Sequence, residues 1–198
     1  EIVKHQEIVD VKVENDNVDI DIEVNKEGFK ETQSKDSIYY DFSNIHNKSN
    51  IALDNFTWSD SLPTNALRAN KIYTGTWNED LTYSVWYKTN LSDDYIMLKD
   101  GLSTLVNNEV KFTDATLQEG EFITDFEFRF GTVKADFREV EQPRLYCDML
   151  DNLPNGFIFL NHTKVSLYNL WIKLIISGYV RSESGCCLPV LSLFFLYL

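Results

Sequence analysis

The sequence contains few cysteine, proline and glycine residues. Its 198 residues include 3 Cys, 4 Pro and 8 Gly. The cysteines Cys147, Cys186 and Cys187 are too few for a disulfide framework, so the stability of the fold has to come from packing. The chain begins with Glu1 and shows no basic segment followed by an apolar run. We therefore interpret it as a fragment or a processed chain without a visible signal peptide.

Positive charge is scarce as well. There are 18 Lys and Arg against 31 Asp and Glu, a net charge of −13. This balance argues against nucleic acid as a partner, because proteins neutralise phosphates with Lys and Arg. No Ser/His/Asp pattern, Gly-rich phosphate loop or Cys-x-x-Cys is present, and His5, His46 and His162 are isolated. We predict no enzymatic activity, no catalytic residue and no cofactor.

Acidic residues alternate with apolar ones near the start of the chain. The alternation places Asp19, Asp21 and Glu23 along one flat face of a strand instead of wrapping them round a point. The glycine of an EF-hand loop is also missing. We expect a solvated strand face there and no metal site.

Aromatic residues, by contrast, are abundant and follow strand-like patterns. Among them are 13 Phe and 10 Tyr, enough for a large core. The stretch from Asp36 to Pro63 predicts a strand, an Asn-rich turn and a return strand, forming a hairpin with Trp58 buried. Residues 70–77 and 81–89 predict a second hairpin.

Residues 121–131 give the strongest strand pattern in the chain. Phe122, Phe126, Phe128 and Phe130 share one alternation, so we expect them to form one wall of the core. About ten such strands at roughly ten-residue spacing, with almost no helical pattern, predict an all-β fold. The expected architecture is an immunoglobulin-like antiparallel β-sandwich.

Two motifs carry a resemblance to a known family. The run Leu53–Pro63 (LDNFTWSDSLP) resembles the strand motif of a repeat-type β-sandwich domain of bacterial surface proteins, the family catalogued as domain of unknown function eleven. Leu153-Pro154-Asn155-Gly156, with the strand that follows to Ser166, resembles its closing strand. The resemblance covers roughly residues 18–166, and the long aromatic stretch between the motifs is similar to clostridial wall-anchored versions. The resemblance implies an extracellular stalk or adhesin module that catalyses no reaction.

The composition changes at residue 167. The last 32 residues hold three charged residues, whereas the preceding 166 hold 46. We divide the chain into a linker or the end of a preceding domain (1–16), a β-sandwich surface domain (17–166) and an atypical apolar tail (167–198) that we expect to lie outside the fold. The run Leu188–Leu198 is too short to span a bilayer, so the tail does not support membrane anchoring. A degraded anchor, an out-of-frame or read-through tail and an amphipathic helix compete as explanations, and we favour the second.

These observations predict a non-catalytic spacer or adhesin unit of a bacterial cell-wall-associated surface protein, outside the cell. Its expected partners are neighbouring domains of the same protein and a host or wall polymer. The alternative is a carbohydrate-binding module of a secreted enzyme, with Trp77 and Trp86 as candidate ligand contacts. Surface sandwiches of the kind that the chain resembles often carry a Lys–Asn isopeptide bond formed beside a buried acid. Here such a bond would involve Lys71 or Lys164 and Asn161.

Overall fold

The structure, a computed structural model, describes residues 19–28, 36–151 and 153–167 in full and residues 173–181 at the level of the backbone. Apart from a single 3-10 turn, Phe112–Asp114, the regular elements within these ranges are strands. They are β1 (Ile22–Gly28), β2 (Ser37–Asn47), β3 (Leu53–Ser61), β4 (Leu67–Tyr73), β5 (Thr76–Trp77), β6 (Thr82–Thr89), β7 (Ser92–Ser103), β8 (Glu109–Lys111), β9 (Ile123–Val133), β10 (Glu139–Glu141), β11 (Arg144–Met149), β12 (Ile158–Leu167) and β13 (Lys173–Arg181).

The strands form two antiparallel sheets and a short ribbon. Sheet A has the order β1-β2-β11-β4-β8, sheet B has the order β13-β12-β3-β9-β6-β7, and β5 pairs with β10. The sheets face each other across an aromatic core in which the rings of Phe42 from sheet A and Trp58 from sheet B lie 4.7 Å apart, edge to face. The predicted all-β, immunoglobulin-like antiparallel sandwich is confirmed.

The predicted hairpin between residues 36 and 63 is wrong in its pairing, although both strands exist. Strand β2 belongs to sheet A and β3 to sheet B, so the connection crosses from one sheet to the other. The side-chain amide of Asn47 holds this crossing by donating to the backbone carbonyls of Ile51 (3.1 Å) and Lys134 (2.9 Å). The apolar faces of β2 and β3 therefore pack against each other instead of lying side by side.

The second predicted hairpin is wrong for the same reason. Strand β4 lies in sheet A between β11 and β8, whereas β6 lies in sheet B between β9 and β7. The inward side chains of a strand are covered by the opposite sheet whether the next strand of the chain lies beside it or across the sandwich. Alternation alone does not distinguish the two arrangements.

The phenylalanine row of β9 forms a wall of the core, with one exception. Phe126, Phe128 and Phe130 are buried, as is Trp58 opposite them, which is 0% exposed. Phe122 lies just before the strand and packs under the guanidinium of Arg68, 4.0 Å from its ring centroid. The register shift where β9 passes the end of β6 takes Phe122 out of the row.

Strand β13 lies beyond the predicted boundary at residue 166. Its backbone pairs with β12 from Lys173 to Arg181, so sheet B extends past that boundary. The rest of the predicted tail, residues 168–172 and 182–198, lies outside the described residues, as does the whole of the predicted linker, 1–16. Whether the tail contributes to stability stays a prediction, which truncation at residue 170 tests.

Candidate functional site

Three polar residues occupy inward positions at the centre of the sandwich. Lys26 lies on β1, Asp60 on β3 and Asn161 on β12, and each continues the alternation of its strand's buried apolar residues. Because successive side chains of a strand point to opposite faces, all three point between the sheets. These three residues are called the triad below. The buried residues in the same alternation are Ile22 and Val24 on β1, Phe56 and Trp58 on β3, and Phe159 and Val165 on β12.

The Lys26 amine and the Asp60 carboxyl are in direct contact inside the core. Lys26 Nζ pairs with Asp60 Oδ2, and the two side chains are 3% and 0% exposed. Two rings of β2 cover the amine: Nζ lies 4.5 Å from the ring centroid of Tyr40 and 4.8 Å from that of Phe42. The rings keep water from the pair, so neither charge has the solvation that would stabilise it at the surface.

Asn161 adds a carboxamide beside this pair. The residue is 1% exposed, and neither its Oδ1 nor its Nδ2 has a hydrogen-bond partner of acceptable geometry. Thr163 lies opposite Asp60 in the pairing of β12 with β3, so Asn161, two residues earlier on the same face, is a diagonal neighbour of Asp60. The second oxygen of Asp60, Oδ1, is also buried without a partner. Each such unsatisfied group costs roughly 1–3 kcal/mol, so the cluster is unfavourable for folding alone.

Burial shifts the Lys26–Asp60 pair toward its neutral form. Removal from water lowers the pKa of Lys26 and raises the pKa of Asp60, and in each case this effect exceeds the opposing attraction between the two charges. Smaller effects on the pKa of Asp60 come from the side chain of Asn161, which lowers it although the two groups are too poorly aligned for a full hydrogen bond, and from the charge of Asp125, which raises it. A neutral amine is a nucleophile, and a protonated carboxyl donates a hydrogen bond and relays protons. The pair therefore contains the two groups that an amide exchange requires.

Neighbouring side chains hold the strands in place around the triad. Trp58 Nε1 donates to Thr163 Oγ1 at 2.9 Å, and this hydroxyl donates to the carbonyl of Ser59 at 3.1 Å, which ties β3 to β12. Cys147 of β11 is fully buried, and burial raises the pKa of its thiol, which stays protonated and neutral. The triad thus lies in a dry, closely packed environment.

Of the predicted isopeptide residues, the structure places Asn161 in the triad and both predicted lysines outside it. Lys71 is paired with Glu109, with Nζ 2.8 Å from Oε1, and its side chain is 31% exposed. Lys164 lies in the outward alternation of β12, between the buried Thr163 and Val165. Neither lysine therefore occupies the inward position that Lys26 occupies.

The predicted ligand-contact tryptophans are partly or fully covered. Trp77 is 2% exposed and stacks on Phe137 with ring centroids 5.1 Å apart, so it offers no surface to a ligand, contrary to expectation. Trp77 lies on the short strand β5, and its ring packs against the core residues Phe130 and Phe137. Trp86 is half-buried, with the guanidinium of Arg129 4.0 Å from its ring centroid, and its role as a ligand contact stays a prediction.

Lys26 and Asp60 were not predicted as site residues, although the sequence carries a signal for both. Lys26 continues the inward series of Ile20, Ile22 and Val24, and Asp60 follows the buried Trp58 at the same alternation. A charged residue in an inward position needs a buried partner, and this requirement is the signal that identifies both positions.

The acidic residues predicted to form a solvated strand face are Asp19, Asp21 and Glu23, of which Glu23 pairs with Lys48. Within residues 19–28, 36–151 and 153–167, no three His, Cys, Asp or Glu side chains are grouped so that they could hold a metal ion. The same part of the chain contains no helix with the length and apolar character of a membrane span.

Fold and site together define an antiparallel β-sandwich module with a buried Lys-Asp-Asn triad. No protein-family model and no curated protein matches the chain, so membership of the family that its motifs resemble stays a prediction.

Similar solved structures include the C-terminal domains of two streptococcal proteins. One is that of the antigen I/II polypeptide BspA of Streptococcus agalactiae, with 8% identity and a TM-score of 0.42, covering 82% of this chain and 50% of that chain. Another is that of the antigen I/II-family protein AspA of Streptococcus pyogenes, with 10% identity and a TM-score of 0.38, covering 82% and 45%. The present chain spans about half the length of these structures. At these scores no functional conclusion follows from the similarity.

Proposed function

We propose that the chain is a non-enzymatic, tension-resistant module of a bacterial surface protein, and that an isopeptide bond between Lys26 and Asn161 closes its core. The triad is the observation that carries this proposal. It combines a buried amine that is paired with a buried carboxyl and, beside them, a buried carboxamide without a well-formed hydrogen bond, from three different strands. Apolar residues of similar volume would stabilise a merely structural core equally well or better. The polar cluster is explained when its members react with one another.

The reaction is an amide exchange within the folded chain. The neutral Lys26 Nζ attacks Asn161 Cγ, and a new N–C bond forms while the carbonyl oxygen takes up negative charge. The Asp60 carboxyl relays a proton from Nζ to Nδ2, the Cγ–Nδ2 bond breaks, and ammonia leaves. Asp60 ends as it began, and no oxidant or cofactor is consumed. The chain loses one ammonia, about 17 Da, and gains one covalent link.

The position of the link suits a protein that is pulled from both sides. It joins β1 of sheet A to β12 of sheet B, so it ties the two sheets together near the two ends of the sandwich domain in sequence. A spacer or adhesin unit on a cell surface bears such tension between its neighbouring domains. We therefore assign the module to the outside of the cell, with neighbouring domains and a host or wall polymer as partners.

Intact-mass spectrometry of the folded protein tests the proposal. We expect the wild-type chain to be about 17 Da lighter than its sequence mass, and tryptic digestion to give one branched peptide containing Lys26 and Asn161. Lys26→Met, Asp60→Leu and Asn161→Leu should each restore the full mass. Lys71→Met is the matched control, because this lysine is paired at the surface, and it should keep the mass loss. A folded wild-type chain with its full mass refutes the cross-link.

A further inference from the structure

Tyr40 carries a buried hydroxyl group whose presence is not explained by packing. The residue lies on β2, is 1% exposed, and its Oη has no hydrogen-bond partner of acceptable geometry. A phenylalanine would fill the same space without leaving a polar atom unsatisfied. The hydroxyl is therefore a candidate for a role other than stability.

The hydroxyl belongs to the surroundings of the triad. Lys26 Nζ lies 4.5 Å from the ring centroid of Tyr40. Burial raises the pKa of Tyr40, so the hydroxyl keeps its proton, while a weaker interaction with the side chain of Asn161 lowers this pKa. The hydroxyl therefore lies close enough to Asn161 to interact with it, although the two groups do not form a well-aligned hydrogen bond.

A glycine fixes the place of the ring. Gly28 lies opposite Tyr40 in the pairing of β1 with β2. A Cβ atom on Gly28 would lie 2.6 Å from Cδ1 and 2.7 Å from Cε1 of the tyrosine, which is closer than such atoms approach. Since Gly28 has no side chain, the Tyr40 ring can lie directly against the backbone of β1, two residues from the reactive lysine.

We propose that Tyr40 is a further catalytic residue of the cross-linking reaction, whose hydroxyl donates a hydrogen bond to Asn161 Oδ1 while that oxygen carries the developing negative charge. This inference rests on the proposed isopeptide bond. Asp60 moves the proton between the two nitrogen atoms, whereas Tyr40 keeps its own proton throughout. The hydrogen bond strengthens as the carbonyl oxygen becomes an oxyanion, so it lowers the barrier more than it stabilises the starting state.

The rate of mass loss during refolding tests this role. Wild-type, Tyr40→Phe and Tyr83→Phe chains are recovered unfolded from inclusion bodies, diluted into refolding buffer and sampled for intact mass and near-UV circular dichroism. Tyr83→Phe is the matched control, because Tyr83 is also a buried core tyrosine (2% exposed) but stacks on Phe128 instead of lying beside the triad. We expect Tyr40→Phe to fold as the wild type does but to cross-link on the order of 10²-fold more slowly, the effect of removing one oxyanion donor.

A second variant tests the position of the ring. Gly28→Ala leaves every reacting group in place but pushes the Tyr40 ring away from the backbone of β1. It should also slow cross-linking, and combining it with Tyr40→Phe should add little further slowing, because the hydroxyl is already gone.

The outcomes separate the two proposals. If the wild type and Tyr40→Phe lose ammonia at the same rate, the role of Tyr40 is wrong and the cross-link stands. If the folded wild type never loses ammonia, the proposed function fails, and the role of Tyr40 fails with it. Equal slowing in Tyr83→Phe would mean that core packing, not the Tyr40 hydroxyl, sets the rate, and would also overturn the inference.

Discussion

Replacing Asn161 by leucine should remove the cross-link and little else. Neither polar side-chain atom of Asn161 makes a good hydrogen bond, so a leucine, which has the same branching and the same number of side-chain heavy atoms, leaves no new partner unsatisfied. The Lys26–Asp60 pair remains in place. Any large loss of stability in this variant therefore reports the covalent link itself.

The size of that loss follows from the loop that the bond closes. Lys26 and Asn161 stand 135 positions apart in the chain (161 minus 26). Closing a loop of this length reduces the entropy of the unfolded chain by an amount worth about 5 kcal/mol at room temperature. For a domain of this size, that corresponds to a melting temperature lower by roughly 10–20 °C in Asn161→Leu.

A double-mutant cycle separates the covalent link from local packing. Thermal and guanidinium unfolding are measured for the wild type, Asn161→Leu, Lys26→Met and the double variant. Each single change removes the whole bond and with it the loop-closure contribution of about 5 kcal/mol to the free energy of unfolding. The double variant should therefore not lose this contribution a second time. A loss below about 1 kcal/mol in Asn161→Leu, or simple additivity of the two changes, would refute the reasoning.

Three further predictions concern force, pH and the core. Unfolding under force should free roughly 45–49 nm of extended chain from the 135 positions between Lys26 and Asn161 (161 minus 26) when no bond joins them. In single-molecule stretching, the wild type should lack this gain in length, and Lys26→Met should restore it. Burial lowers the pKa of Lys26 and raises that of Asp60, so the reactive form of the pair has a neutral amine and a protonated carboxyl. The rate of cross-linking during refolding should therefore be constant near neutral pH. It should fall in acid, where the amine becomes protonated, and in alkali, where the carboxyl loses its proton. Because the Trp58 ring is fully buried, Trp58→Ala should lower the free energy of unfolding by about 3–5 kcal/mol in denaturant unfolding. A loss below about 1 kcal/mol, the size of a surface substitution, would contradict this.

Alternation in the sequence predicts which face of each strand is buried but not which strand lies beside it. It identifies the buried side of β3 and β9, and therefore the burial of Trp58 and Phe128. It does not distinguish a hairpin from a crossing between sheets, because both arrangements bury the same side chains. The five residues between β2 and β3 are long enough for either. The choice depends on tertiary contacts such as those of the Asn47 amide, which reach residues far along the chain.

The triad was predicted in part, for a related reason. Asn161 was a candidate, but Lys26 and Asp60 were not, because Lys and Asp side chains usually lie at the surface. Their pairing joins positions 34 residues apart, and no local spacing relates them. Only the packing of sheet A on sheet B brings the amine of one sheet to the carboxyl of the other.

The place of the cross-link determines which parts of the module tension would reach. Ile22 pairs with Asn47 at the end of β2, and Leu167 pairs with Phe56 near the start of β3, so Ile22 and Leu167 lie at the same end of the sandwich. With the bond in place, a pulling force passes along β1 to Lys26, across to Asn161 and back along β12 in the opposite direction.

Strands β2 to β11 lie between Lys26 and Asn161 and would be bypassed by the proposed bond, whereas β13 lies outside the loop that it would close. Surfaces formed by the bypassed strands therefore keep their shape while the flanking chain is stretched. A domain that unfolds to absorb force would need the reverse arrangement, with its strands in the path of the load. The position of Lys26 and Asn161 thus favours a spacer or ligand-presenting unit over an extensible one.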